Sequence, residues 1–164
     1  MRVLGIDPGT AITGYGVVEE DNGGLKPLAF GVIRTSAECS LPERLQVIYR
    51  SVSELTHEWK PEGAAVEALF FSKNVRTAMN VAHARGVVLL ALADAGLRIS
   101  EYTPLAVKQA VTGYGGADKR QMQEMVRLLL KLSEVPQPDD AADALAVAVC
   151  HINTSGLSEL YGEH

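Results

Sequence analysis

Four carboxylates in this chain have settings that could support chemistry: Asp7, Glu67, Asp140 and Asp143. Asp7 closes the apolar run Arg2-Val3-Leu4-Gly5-Ile6, and the turn residues Pro8-Gly9 follow at once. Burying an ionised carboxylate without a partner is costly. A chain tolerates it when the charge holds a cation or handles a proton. Glu67 sits inside a second apolar run, where strand propensity and burial both disfavour it. Asp140 and Asp143 are three residues apart in a helical pattern, so they point to one side. Their neighbours, Ala141-Ala142 and Ala144-Leu145-Ala146, are small and apolar, so this helix can lie close against a sheet. If it crosses the strands that carry Asp7 and Glu67, all four carboxylates converge. Their repulsion then has to be offset by protons or by divalent cations. Only oxygen donors are on offer, which suits Mg²⁺ or Mn²⁺ and not zinc. Neither Cys39 nor Cys150 has a zinc-ligand spacing.

Plainer roles exist for each residue taken alone. Asp7 could cap the Pro-Gly turn as an Asx turn. Asp140 falls in a first helical turn, where acids complement the dipole, and Asp139 is assigned to that role. Asp143 and Glu67 resist such explanations. One shared site accounts for all four together.

The elements that must position them follow from periodicity. Strands are predicted at Arg2–Asp7, 13–19 and 28–35, with Asp21-Asn22-Gly23-Gly24 as a hairpin turn. Leu41, Leu45, Ile48, Val52, Leu55 and Trp59 then mark one face of an amphipathic helix, ended by Pro61 and Gly63. A strand at 64–69, a long helix at 75–95, a strand at 97–102 and a short helix at 104–111 come next. A Gly-rich loop leads to Asp118, which caps a helix expected to reach Leu132. The last helix is expected over 139–152, with 153–164 a flexible tail. Three meandering strands followed by strand–helix units make a mixed five-stranded α/β sheet with helices on both faces. The adjacency and handedness rules put the first strand centrally, with the fourth beside it in parallel. Asp7 and Glu67 then sit on neighbouring strands.

The bulk numbers set the class. A length of 164 residues suits a single domain, taken as 1–152, with a core able to fold alone. No apolar run is long enough to span a membrane, and no leader pattern precedes the first strand, so a cytoplasmic location is expected. Two cysteines make no disulfide framework, and Cys150 reads as a small buried hydrophobe. Net charge is −5, yet its distribution is uneven. Residues 68–135 carry 9 Lys/Arg against 5 Asp/Glu, whereas residues 136–164 carry 5 acids and no Lys or Arg. Phosphate binding answers to the local field, so this middle segment can meet nucleic acid.

The order of these carboxylates resembles the RNase H-like nuclease and transferase superfamily. The strings Gly5-Ile6-Asp7-Pro8-Gly9-Thr10, Val66-Glu67-Ala68-Leu69-Phe70, Val107-Lys108-Gln109-Ala110-Val111 with Gly113, and Asp140-Ala141-Ala142-Asp143-Ala144-Leu145-Ala146 resemble the RuvC family of Holliday-junction resolvases. The resemblance runs from about Met1 to His151. Family members vary at the position of Asp140, some carrying histidine; here it is a carboxylate.

The resemblance implies a homodimer that binds four-way DNA junctions by shape and works with the RuvA–RuvB branch-migration complex. It implies symmetric nicks in strands of like polarity next to thymine, leaving 5′-phosphate ends. Asp7, Glu67, Asp140 and Asp143 would hold two Mg²⁺ ions, with Asp7 shared between them, for in-line hydrolysis. Lys108 and Lys119 match family positions near the site, and Phe70 would unstack bases at the crossover. Lys73, Arg76 and Arg120 are candidate phosphate contacts by charge alone. The long helix carries Met79, Ala82, Gly86, Leu89 and Ala93 along one side, which could pack on a partner or equally on its own sheet.

Two other classes share these features. The Gly-Ile-Asp-x-Gly-Thr string also opens actin-like ATPases and sugar kinases, which bind nucleotide between two such lobes. A non-catalytic nucleic-acid-binding protein of the same fold is the other alternative. It leaves Glu67 and Asp143 without a role.

Overall fold

The computed structural model describes residues 1–68 and 74–161. Its five strands are β1 (Arg2–Asp7), β2 (Ile12–Asp21), β3 (Gly24–Arg34), β4 (Gly63–Glu67) and β5 (Arg98–Tyr102). They form one sheet in the order β3-β2-β1-β4-β5. The meander β1-β2-β3 is antiparallel, and β4 and β5 join in parallel. β1 is therefore central with β4 beside it, as the adjacency argument requires. The hairpin runs longer than predicted because pairing persists to Asp21↔Gly24. Gly24 takes φ 103° there, and the Gly23 N–H donates to Asp21 Oδ1 at 2.7 Å.

The helices are α1 (Leu41–Trp59), α2 (Val75–Asp94), α3 (Pro104–Thr112), α4 (Lys119–Leu129) and α5 (Asp139–Tyr161). α1 begins with a Ser40–Glu43 capping box and α4 with an Asp118–Gln121 one. α4 stops before Leu132. Lys131 turns left-handed at φ 54°, and the Lys131 and Leu132 N–H groups donate back to Leu128 O and Arg127 O. That is a Schellman closure, here built on Lys rather than the usual Gly, which hid the stop. α5 overruns its expected end at Ile152 and continues to Tyr161. Thr154 Oγ1 donates to Cys150 O at 2.7 Å, and Asn153 Nδ2 donates to Ala110 O on α3 at 3.0 Å. The Asn153 bond ties this part of the predicted flexible tail to α3.

Strand alternation divides the core in two. Leu4, Ile6, Ala64 and Val66 face α1 and α2, against Ile48, Val52, Ala84, Val88 and Leu92. Val3 and Ala65 face the other way, against Val107, Val126, Leu145, Val149 and Ile152 of α3, α4 and α5. Asp7 and Glu67 share the parity of Val3 and Ala65, so they open onto the α5 side.

The small-residue side of α2 points away from the sheet. Val75, Met79 and Leu90 are 70%, 57% and 54% exposed, and Ala82, Gly86 and Ala93 are exposed among them. Leu89 alone of the expected stripe is half-buried. Among the described residues no helix is long and apolar enough to cross a membrane.

Candidate active site

Asp7 and Glu67 end adjacent parallel strands, one residue beyond the Ile6↔Val66 pair. The turn after Asp7 is held by other side chains. Thr13 Oγ1 donates to Gly9 O at 2.6 Å, and Thr10 Oγ1 donates to Asn80 O on α2 at 2.5 Å. Thr13 is fully buried, and the Thr35 hydroxyl donates to Thr10 O at 2.5 Å. The Asp7 carboxyl meets Glu67 instead, donating a hydrogen bond to it when protonated. The Gly9 N–H, which an Asx turn at Asp7 would bind, donates instead to Thr13 Oγ1 at 3.3 Å. Thr10 and Thr13 were not expected to take part; both follow Pro8-Gly9, within reach of the turn.

Asp140 and Asp143 arrive from the first turns of α5, which lies almost directly on the sheet. The contact is made through glycine. A Cβ on Gly5 would stand 2.2 Å from Ala144 O, and one on Gly14 would stand 1.9 Å from Asp140 O. On Gly16 it would stand 2.7 Å from Leu145 Cδ2. Gly5 and Gly16 are cross-strand partners, and Gly14 pairs with Asp7. This glycine floor was also missed. Its signal is the alternation Gly14-x-Gly16 inside a strand, which marks a close backbone approach.

The electrostatics follow from burial among like charges. The Asp7 carboxyl is pushed up to about 9, by burial first, then by the hydrogen bond and charge of Glu67 and the charge of Asp140. Glu67 is also raised, mainly by burial, against the lowering effect of its bond from Asp7. Asp143 is pushed up to about 6 by burial and then by the charge of Asp7. Lys119 opposes all three shifts. It leads α4 and forms an ion pair with Asp139, Nζ to Oδ2 at 2.9 Å.

A cleft of about 260 Å³ opens beside the carboxylates, lined by Glu67, Asp143, Lys108, Lys119, Val107 and Met122 among others. Among the described residues no three His, Cys, Asp or Glu side chains close around a common point as a formed ion cage. The donor set nonetheless fits hard divalent cations. It offers carboxylate oxygens alone, buried enough to raise one another's proton affinity.

The family model described as "Crossover junction endodeoxyribonuclease RuvC" matches residues 3–151. The chain belongs to the RuvC family. The RuvC crossover junction endodeoxyribonuclease of Chloroflexus aurantiacus is 57% identical over 162 residues, covering 99% of each chain. That of a Roseiflexus species is 61% identical over 150 residues, covering 92% of this chain and 89% of the relative. The solved structure of Thermus thermophilus RuvC in complex with a Holliday junction substrate superposes with a TM-score of 0.92 at 39% identity, covering 96% of both chains. The fold is therefore RNase H-like, as the order of strands and carboxylates implied.

Of the expected phosphate contacts, Lys108 and Lys119 line the carboxylate cleft. Arg120 lines a separate groove of about 420 Å³ on α4 with Tyr114, Gln121 and Leu128. Arg76 is exposed in the first turn of α2. Phe70 and Lys73 lie outside the described residues.

Proposed function

We propose that this RuvC-family chain resolves four-way DNA junctions as a homodimer, nicking two strands of like polarity to leave 5′-phosphate and 3′-hydroxyl ends. The observation that supports this reading is that Asp7 and Glu67 end neighbouring parallel strands, that Glu67 and Asp143 line one cleft, and that Asp140 packs over Gly14. These four side chains would hold two divalent cations, Mg²⁺ or Mn²⁺. When bound, such ions supply an activated water and stabilise the leaving oxygen.

The chain's own groups supply the rest. Asp7 and Glu67, half-buried at the ends of neighbouring strands, hold their carboxylates in fixed positions. Lys108 and Lys119 present ammonium groups where a phosphodiester enters the cleft, as point charges that position the backbone without reading bases. Arg76 and Arg120, with Phe70 and Lys73, belong to the same DNA-binding reading. The outward apolar side of α2 is a candidate dimer face, and a two-fold dimer matches a substrate with two cleavage points. Cooperation with the RuvA–RuvB complex belongs to the same proposal.

A labelled synthetic four-way junction, incubated with and without Mg²⁺ beside a linear duplex of the same sequence, tests the reading. Paired nicks in the junction alone, dependent on the cation, are expected. Cleavage of both substrates at equal rates, or of neither, would overturn it.

A further inference from the structure

Lys119 stands between two sets of acids. On one side are the cleft carboxylates, whose proton affinities it lowers. On the other is Asp139, which the sequence reading assigned only to the helix dipole. Both Asp139 oxygens are engaged from α4: Lys119 Nζ lies 2.9 Å from Oδ2, and Gln123 Nε2 donates to Oδ1 at 3.1 Å. Lys119 and Gln123 are four residues apart, so one face of α4 grips a single carboxylate at the start of α5. The clasp spans α4 and α5, two of the three helices that wall the cleft.

An ammonium so close to a buried acidic cluster has a competing destination. Folded into the cluster, it would neutralise Asp7, Glu67 and Asp143 itself and occupy the ground a divalent cation needs. We infer that Asp139, steadied by Gln123, is a positioning residue that holds the Lys119 ammonium at the outer rim of the cleft, so that it does not compete with the divalent cation. The inference rests on the metal-site reading above and extends it to a residue outside the carboxylate set. Asp139 touches neither the reacting phosphate nor the ions in this role; it acts through Lys119. The pair is 59% and 50% exposed, so its influence is modest.

The test is Mn²⁺ binding to the full chain without DNA, by calorimetry, in wild type, Asp139→Asn, Lys119→Gln and the double variant. Asp139→Asn should weaken Mn²⁺ binding about two- to fivefold, the range open to an exposed ion pair. Lys119→Gln should bind Mn²⁺ at least as tightly as wild type, and the double variant should match Lys119→Gln, because no ammonium remains to enter the cluster. Asp139→Glu should retain wild-type affinity. If Asp139→Asn weakens binding equally in the Lys119→Gln background, Asp139 acts only through its own field and the inference fails. It also fails if Asp139→Asn leaves affinity unchanged. No Mn²⁺ binding to wild type would instead remove the metal-site reading itself.

Discussion

Gly14 lies directly beneath Asp140: a Cβ on Gly14 would come within 1.9 Å of the Asp140 carbonyl oxygen. The obstacle is helix backbone, which cannot rotate away as a side chain can. Gly14→Ala must therefore lift the start of α5 or bend β2. Overpacking of this kind costs about 1–3 kcal/mol, or about 2–4 °C of Tm per kcal/mol at this chain length. Activity should fall further than stability, because the displaced segment carries Asp140 and Asp143. Calorimetric Tm and junction cleavage, measured side by side, check this. Wild-type cleavage in Gly14→Ala would mean that the close approach of α5 is not needed.

Asp7 bears the heaviest burial and repulsion in the cluster. Asp7→Asn keeps the shape, needs no proton uptake to become neutral on burial, and can still donate to Glu67. The variant should lose cleavage yet bind junctions, and it should be more stable than wild type in EDTA by about 1 kcal/mol, the usual gain from relieving a functional strain. Melting in EDTA and gel-shift binding give the two readouts. A variant that cuts at near the wild-type rate with Mg²⁺ would remove Asp7 from the proposed metal site.

The sheet order and the meeting of Asp7 with Glu67 were legible because both rest on simple periodicities. Apolar runs mark the strands, adjacency rules order them, and strand parity puts both carboxylates on one side. Helix ends were less legible where side chains replaced the expected punctuation. Lys131 closes α4 in a left-handed conformation usually left to Gly, and Asn153 anchors α5 to α3 past Ile152. The glycine floor under α5 was illegible for another reason. A glycine's role is visible only against the element that approaches it, and Asp140 is distant from Gly14 in sequence.

Metal-free stability should fall as pH rises. Asp7, Glu67 and Asp143 keep their protons to higher pH in the folded chain than in the unfolded one. The folded state therefore binds more protons from the ordinary carboxylate range, about 4, up to about 6 for Asp143 and about 9 for Asp7. Where the native state holds the excess protons, raising pH destabilises it. The favourable contribution is complete below the unfolded values and is lost through this window. Tm in EDTA across pH 5–9, compared with saturating Mg²⁺, measures it. A falling profile that Mg²⁺ flattens is expected, since the cation replaces the protons and stabilises by mass action. A rising EDTA profile would contradict the burial of these groups.

Lys108 faces the cleft beside Glu67 and Asp143 without being part of the acidic set. Its proposed partner is a phosphate, so Lys108→Ala should weaken binding to junctions of different sequence by a similar factor. It should also reduce the slope of log K against log salt by about 1, one phosphate contact's worth. Fluorescence anisotropy over a salt series, in Ca²⁺ to prevent turnover, gives the slope. An unchanged slope would place Lys108 outside the DNA path.

The α2 face can be broken with one substitution, because its residues are already outside the fold. Leu90 is 54% exposed on the same outward side as Met79 and Gly86, and a Cβ at Gly86 meets nothing within 4 Å. Leu90→Glu therefore leaves the chain's own core untouched. In a two-fold dimer each copy supplies the same patch, so one substitution brings two carboxylates into an apolar contact. Like charges there cost several kcal/mol. The variant should sediment as a monomer at concentrations where wild type is a dimer, with its circular dichroism and metal-free Tm showing an intact monomer fold. The two nicks on one junction should then become uncoupled, and singly nicked product should accumulate. If wild type sediments as a monomer, or if Leu90→Glu remains dimeric, α2 is not the dimer face.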